Sequence, residues 1–325
     1  MEVRIATFNI FWFPSSSFIG NSRSAEDLEM LREVIKRLDA DVLVFEEILD
    51  LEKLEGLLSD LIPGRSYSLR DKDEQWSAST LEQQHGMKVP LAFDSNKLEL
   101  LEVGSARLAG QAPTPTGRRD PVAARLRPLG GGPPLTVIGV HLKSGMLTQG
   151  APSTHDDEVR VEEMANLTKW ITTSAPIKPG GPARPGGEPT VLIGDFNAVD
   201  GNAALTALLP GGKLSSWSRP KPRFTSAMSP SPVEVHLPPE ERWTTHLDRE
   251  IIDHVILSPE VQLFDGPWVY AFDRDDSWLQ AAGVTRDWLE EKGFTFTPKN
   301  EEPKPMENLH HISDHRPVRV SVNLT

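Results

Sequence analysis

Asp195 and Asn197 stand two residues apart in Gly194-Asp195-Phe196-Asn197, directly after the apolar run TVLI. In extended chain that spacing turns both side chains to the same side. His141 and Lys143 are spaced alike at the end of LTVIGV. A carboxylate with an amide can position a nucleophile, and an imidazole with an ammonium can neutralise phosphoryl oxygens. Three further segments join an apolar run to groups of this kind: VRIA ends on Thr7-Phe8-Asn9, DVLVF ends on Glu46-Glu47, and Ser313-Asp314-His315 leads into RPVRVSVNL. Glu47 and Asp314 are hard oxygen ligands suited to Mg²⁺, which is held by few carboxylates and keeps several waters. His315 offers an imidazole, and Asp253 a carboxylate to orient it, the arrangement of a base and its orienter. Taken singly, each of these residues is better explained as a turn residue or a hydrogen-bonded core side chain. Five such segments, spread from residue 9 to residue 315, imply strand ends gathered at one rim of a sheet.

The ordered series TFN, EE-I, HLKS, GDFN, IDH and SDHRP resembles the endonuclease/exonuclease/phosphatase superfamily. Its members include deoxyribonuclease I, exonuclease III-type repair enzymes, inositol-polyphosphate phosphatases, deadenylases and neutral sphingomyelinases. The match runs in the correct order from Asn9 to Pro317, and GDFN and SDHRP are its most specific pieces. The resemblance implies a deoxyribonuclease I-like α/β fold, a four-layer α-β-β-α sandwich of two packed mixed β-sheets. It implies that Asn9 lies near metal and substrate phosphate and that Glu47 binds the metal. The family usually has Gln before that Glu, where this chain has Glu46, and the alignment favours Glu47 as the residue facing the ion. By the same resemblance His141 contacts phosphate, Lys143 matches an HLK variant of that motif, and Asp195 with Asn197 positions the attacking water. Asp253 then orients the catalytic His315, and Asp314 is a metal ligand on the second side. Arg119 resembles a phosphate-contacting Arg, with Arg118 close behind it and Arg160 a weaker candidate. The implied cofactor is Mg²⁺, with Mn²⁺ or Ca²⁺ able to stand in.

The elements that must position these residues follow from periodicity. Val3, Ile5 and Thr7 alternate as a strand. Ser24 with Asp27 marks a helix start, followed at helical spacing by Leu28, Leu31, Ile35 and Leu38. Asp41 to Ile48 suits a buried strand; Leu51, Leu54, Leu57, Leu58 and Leu61 mark a second helix stopped by Pro63-Gly64. Strands are expected at 89–93, 98–103, 122–126, 135–142, 190–197, 251–257 and 318–324. A helix is expected over 156–172, with Val161, Met164, Leu167 and Ile171 on one face. Residues 176–189 read as a solvated Pro/Gly loop, and 215–245 and 264–308 as irregular, with a short helix at 284–292.

The chain has 325 residues, 38% of them hydrophobic, and can bury a large core. Because the candidate site residues span nearly its whole length, one domain over 1–325 is the better reading, with loop insertions near 176–189, 215–245 and 264–308. Cysteine is absent, which excludes disulfides and Cys-based zinc sites and favours a cytoplasmic home, although a mature secreted protein would look the same. No stretch approaches the roughly 20 apolar residues of a membrane span. A net charge of −13 argues against broad electrostatic holding of nucleic acid, while leaving room for a transient phosphoesterase. Trp12, Trp76, Trp217 and Trp243 fall in loop-like stretches and Arg219 to Phe224 is a basic-aromatic run, features that could meet bases and phosphates or serve packing.

The expected activity is metal-dependent phosphoester hydrolysis by in-line attack of water, with nucleic acid as the first substrate. A phosphatase or phosphodiesterase acting on a small phosphate ester or phospholipid headgroup is the alternative. An inactive relative that only binds would lack one or more of the series, and none is missing. Nothing points to a protein partner, and a monomer is expected.

Overall fold

The computed structural model describes residues 1–15, 23–71, 87–106, 120–144, 154–178, 181–208, 214–228, 232, 234–237, 242, 244, 251–281, 313 and 315–324. The first strand, β1 (Glu2–Phe13), is apolar on both faces: Val3 and Ile5 point one way, Ala6, Phe8 and Ile10 the other, and all five are buried. A reciprocal capping box starts α1 (Ala25–Leu38), with the Ser24 side chain accepting from Asp27 N–H and the Asp27 carboxylate accepting from Ser24 N–H. Then follow β2 (Val42–Ile48), α2 (Leu51–Leu58), β3 (Tyr67–Arg70), β4 (Leu91–Asp94), β5 (Leu98–Ser105), β6 (Val122–Pro128) and β7 (Leu135–His141). The second half contributes α3 (Thr154–Thr172), β8 (Thr190–Asp195), α4 (Ala203–Leu208), β9 (Arg223–Thr225), β10 (Asp253–Leu257), β11 (Gln262–Tyr270), α5 (Asp276–Ala281) and β12 (Val318–Asn323).

Among the described residues, seven strands form one mixed sheet in the order β3-β4-β2-β1-β12-β11-β9, and five form the other, β10-β8-β7-β6-β5. Three apolar layers account for four structural ones. Val3, Ile5, Val42, Val44, Val137, Val191, Ile193, Val318 and Val320 fill the space between the sheets. On the outer face of the larger sheet, Phe8, Leu43 and Phe45 meet Leu31, Ile35 and Leu54 of α1 and α2. On the outer face of the smaller one, Ile138, Val140 and Leu192 meet Met164, Leu167 and Trp170 of α3. Fully burying one such side chain contributes about 1.5–3 kcal/mol. The layering is therefore the expected α-β-β-α sandwich. Central strands read as unbroken apolar runs because helices cover one face and the second sheet the other.

Gly139 sets the distance between the sheets. A Cβ there would lie 2.6 Å from Val44 Cγ1 on the opposing sheet and 2.9 Å from Val122 Cγ1. Only glycine lets the two sheets come this close, two residues before His141.

Several expectations need correction. β1 extends through Trp12, so that residue belongs to a strand rather than a loop. The second helix ends at Leu58 with Ser59 as its cap, and Leu61 is buried beyond it. The tract 176–189 is not simply solvated: Ile177 is buried, and the buried Arg184 guanidinium stacks 3.8 Å over the Trp170 ring and donates to the carbonyls of Trp170, Ile171 and Ala175, closing the C-terminus of α3. The stretch read as irregular from 264 starts inside β11, and α5 follows. β9 and a buried Phe224, Thr225 and Met228 lie within 215–245. The expected helix at 284–292 lies outside the described residues.

Candidate active site

Strand register builds half of the site. β7, β8 and β10 are neighbours, and His141, Asp195 and Asp253 are direct partners across them, His141 with Asp195 and Asp253 with Asp195. His141 and Asp195 end their strands and Asp253 begins its own, so three polar side chains stand abreast at one rim of the smaller sheet. Gly194 makes this possible. Its φ is +144°, and a Cβ would lie 2.1 Å from the Val140 carbonyl oxygen.

The larger sheet supplies the facing half. Asn9 Oδ1 accepts from Phe11 N–H at 3.1 Å, which turns Nδ2 outward to Asp195 Oδ2 at 3.2 Å and Glu47 Oε1 at 3.3 Å. Strand alternation would put Glu47 with Leu43 and Phe45 on the helix-covered face. Its left-handed backbone (φ +61°) breaks that alternation, and Oε1 lies 3.7 Å from His141 Nε2 of the other sheet. The Trp12 N–H donates to Glu47 Oε2 at 3.3 Å. Glu46 faces the space between the sheets instead, fully buried, accepting from the Thr7 hydroxyl, with burial holding its carboxyl well above the usual range.

His315 arrives just before β12. Its N–H donates to the Ser313 hydroxyl, which itself donates to the Asn9 carbonyl oxygen. His315 Nδ1 sits 2.9 Å from Asp253 Oδ2, and Nε2 lies 3.8 Å from Asp195 Oδ2. His141 Nε2 is 3.6 Å from that same oxygen. Asp195 Oδ2 is thus the hub, with an amide and two imidazoles around it. Burial pushes the Asp195 carboxyl up to about 6; the positive charge of His315 pulls against this and the negative charge of Asp253 adds to it.

Buried carboxylates this close to one another call for a cation. Glu47, Asp195 and Asp253 are a hard-oxygen set that fits a divalent ion of the Mg²⁺ class, while Asn9 presents its amide nitrogen, not its oxygen, to them. Among the described residues, ligand-type atoms of Asp195, Asp253 and His315 lie within 4.8 Å of one another. That trio adds a second donor group beside the Glu47 side expected from the sequence.

Asn9, Glu47, His141, Asp195, Asp253 and His315 therefore converge. Asn197 does so differently than expected. β8 stops at Asp195, Asn197 is left-handed (φ +47°), and the two residues are tied by a turn in which Asn197 N–H donates to Asp195 Oδ1. The Asn197 Nδ2 donates to the Leu142 carbonyl oxygen at 3.0 Å. Lys143 Nζ pairs with Asp156 of α3 at 3.3 Å and donates to the Ser144 carbonyl oxygen at 2.7 Å. The buried Arg160 guanidinium braces the Lys143 carbonyl at 2.7 Å and pairs with Asp157. Arg219 pairs with Asp200, and Arg223 with Asp265 while lying 3.9 Å over the Trp268 ring; Lys221 between them is exposed. Arg119 and Asp314 lie outside the described residues. Sequence reasoning gave no site role to Thr7, Ser313 or Thr244; all three are buried in the structure, and burial of a hydroxyl leaves no signal in the sequence.

No family model matches the chain, and no curated protein does. Solved structures do. An endonuclease/exonuclease/phosphatase from Bacteroides vulgatus is 17% identical with a TM-score of 0.59, covering 100% of each chain. The human Nocturnin catalytic domain with bound sulfate anion is 18% identical with a TM-score of 0.58, covering 100% of this chain and 95% of that one. TDP2 of D. rerio complexed with single-strand DNA product is 13% identical with a TM-score of 0.55, covering 99% of each. At these identities the likeness is one of fold. The chain shares the fold of these solved structures.

Proposed function

We propose that the chain is a divalent-metal-dependent phosphoesterase, a nuclease that hydrolyses phosphodiester bonds in line with an activated water. The observation that carries this is Asp195 Oδ2 lying within 3.2–3.8 Å of Asn9 Nδ2, His141 Nε2 and His315 Nε2, with Asp253 on the far nitrogen of His315. In this reading Asp195 orients the attacking water and takes up its proton, a task suited to a carboxyl that burial has pushed up to about 6. Asp253 fixes the ring and proton position of His315, so that Nε2 faces the reacting group. Asn9 and His141 aim N–H donors at the non-bridging oxygens, where charge develops. Glu47 would hold a divalent ion of the Mg²⁺ class, which would supply positive charge for those oxygens. One-domain organisation over 1–325 belongs to the same reading, since the site draws on both halves of the chain.

Fold likeness to structures holding sulfate and a DNA product supports phosphate chemistry without choosing a substrate. One observation favours the second reading, a small phosphate ester: Lys143, Arg160, Arg219 and Arg223 are all paired with carboxylates or carbonyls. Single-stranded DNA, RNA, a chromogenic phosphodiester and a phosphomonoester, each with Mg²⁺ and with chelator, decide between the two. Asp195→Ala and His315→Ala should each abolish turnover with the fold intact. Unchanged turnover in both variants would defeat the catalytic assignment, and preference for the monoester would defeat the nuclease one.

A further inference from the structure

Asp253 and His315 must keep one hydrogen bond although they come from different sheets. Asp253 opens β10, the edge strand of the smaller sheet; His315 precedes β12, inside the larger one. Thr244 joins the two places. Fully buried, its Oγ1 accepts from the backbone N–H groups of both Ile252 at 2.9 Å and Asp253 at 3.2 Å. Its own carbonyl oxygen accepts from Arg316 N–H at 2.7 Å, one residue after His315. A hydroxyl oxygen has two lone pairs, and here two consecutive strand-edge donors use them. Ile252 is held from its other side by Phe196 N–H, one residue after Asp195.

We infer that Thr244 is a positioning residue of the site: through Oγ1 and its carbonyl it fixes the start of β10 against the segment bearing His315, and so keeps Asp253 Oδ2 on His315 Nδ1. This rests on the hydrolase reading above, and Thr244 itself acts only through the two residues it holds. A clip made from one side chain and one carbonyl transmits shape, not charge. Losing the hydroxyl frees the backbone of Asp253 while leaving the His315 side of the clip in place. The pair then drifts out of line without either member being changed.

Thr244→Val keeps the shape and removes the acceptor; Thr244→Ser keeps the acceptor. In the full chain with Mg²⁺, kcat per folded enzyme should fall by about 10²-fold in T244V, the scale of an ångström-sized misplacement, with KM nearly unchanged. T244S should restore most of it. Because Thr244 works through Asp253, the double variant T244V/D253N should lose no more than D253N alone. A merely structural role would instead lower the melting temperature, leave kcat of the folded fraction intact, and make the two losses multiply; that result overturns the inference. Should T244V fail to fold, Thr244→Ala carries the same expectations. The ¹⁵N imidazole signals of His315 read the pair without turnover. Shifted signals in T244V, returned by T244S, support the clip, and identical signals overturn it. Wild-type chain that hydrolyses nothing in the substrate panel would defeat the hydrolase reading, while the NMR comparison still decides the clip.

Discussion

A buried carboxyl titrating near 6 leaves a thermodynamic trace. Asp195 is only 1% exposed, and its folded value lies above the 3.8 of a free aspartate. An acid raised in this way holds its proton more tightly when folded. Its contribution to stability is present below about 4 and is lost as pH rises through about 6. In cation-free protein, Asp195→Asn removes the charge that burial penalises. The melting temperature of D195N should exceed wild type at pH 7.5 and match it near pH 4. Added Mg²⁺ should then raise the melting temperature of wild type more than that of D195N, since a ligand stabilises only the state it binds. Thermal melts at the two pH values, with and without chelator, check both statements. A wild type that melts with D195N at pH 7.5 in chelator would contradict the burial argument.

Strands carry the site, and which of them could be read in advance follows from where they sit. β7 and β8 lie inside the sandwich, so LTVIGV and TVLI are unbroken apolar runs, and their polar endings stand out against them. β3 and β9 have four and three residues at the edges of the larger sheet and left too little pattern to read. β11 hid for another reason. Its first residues are exposed, Phe264 by 58%, and Gly266-Pro267 interrupts the strand, so it resembles a loop until Trp268. The side chains that react were legible as types; the hydroxyls of Thr244 and Ser313 were not, because a hydrogen bond to another segment's backbone leaves no periodicity. Close approach of the sheets was equally silent, yet testable. Gly139→Ala drives a Cβ to 2.6 Å from Val44, a stiff β-branched side chain, and should destabilise by about 1–3 kcal/mol. Activity should fall with it, because His141 two residues on moves relative to Asn9 and Glu47. Gly56→Ala, on the exposed face of α2 with open space around it, should instead stabilise by about 0.5–1 kcal/mol. Urea unfolding of both variants separates close packing from a general effect of glycine replacement, and a G139A midpoint equal to wild type would refute the spacing argument.

At the scale of the whole molecule, net charge decides how a polyanion approaches. With −13 overall, the chain repels nucleic acid at long range, and Lys143, Arg160, Arg219 and Arg223 are each paired with a carboxylate or a carbonyl. Proteins that hold DNA through basic grooves lose affinity steeply as salt rises, because binding releases counterions. Here the opposite sign is expected. Raising ionic strength from about 0.01 to about 0.1 M shortens the screening length from roughly 30 to roughly 10 Å and damps the repulsion. At fixed Mg²⁺, kcat/KM on long single-stranded DNA should therefore rise over that range. On a small chromogenic phosphodiester, whose single charge feels little of the distant field, it should stay nearly level. A steep fall on the polymer would mean that local positive charge overrides the acidic shell, and it would restore electrostatic holding of nucleic acid to this fold.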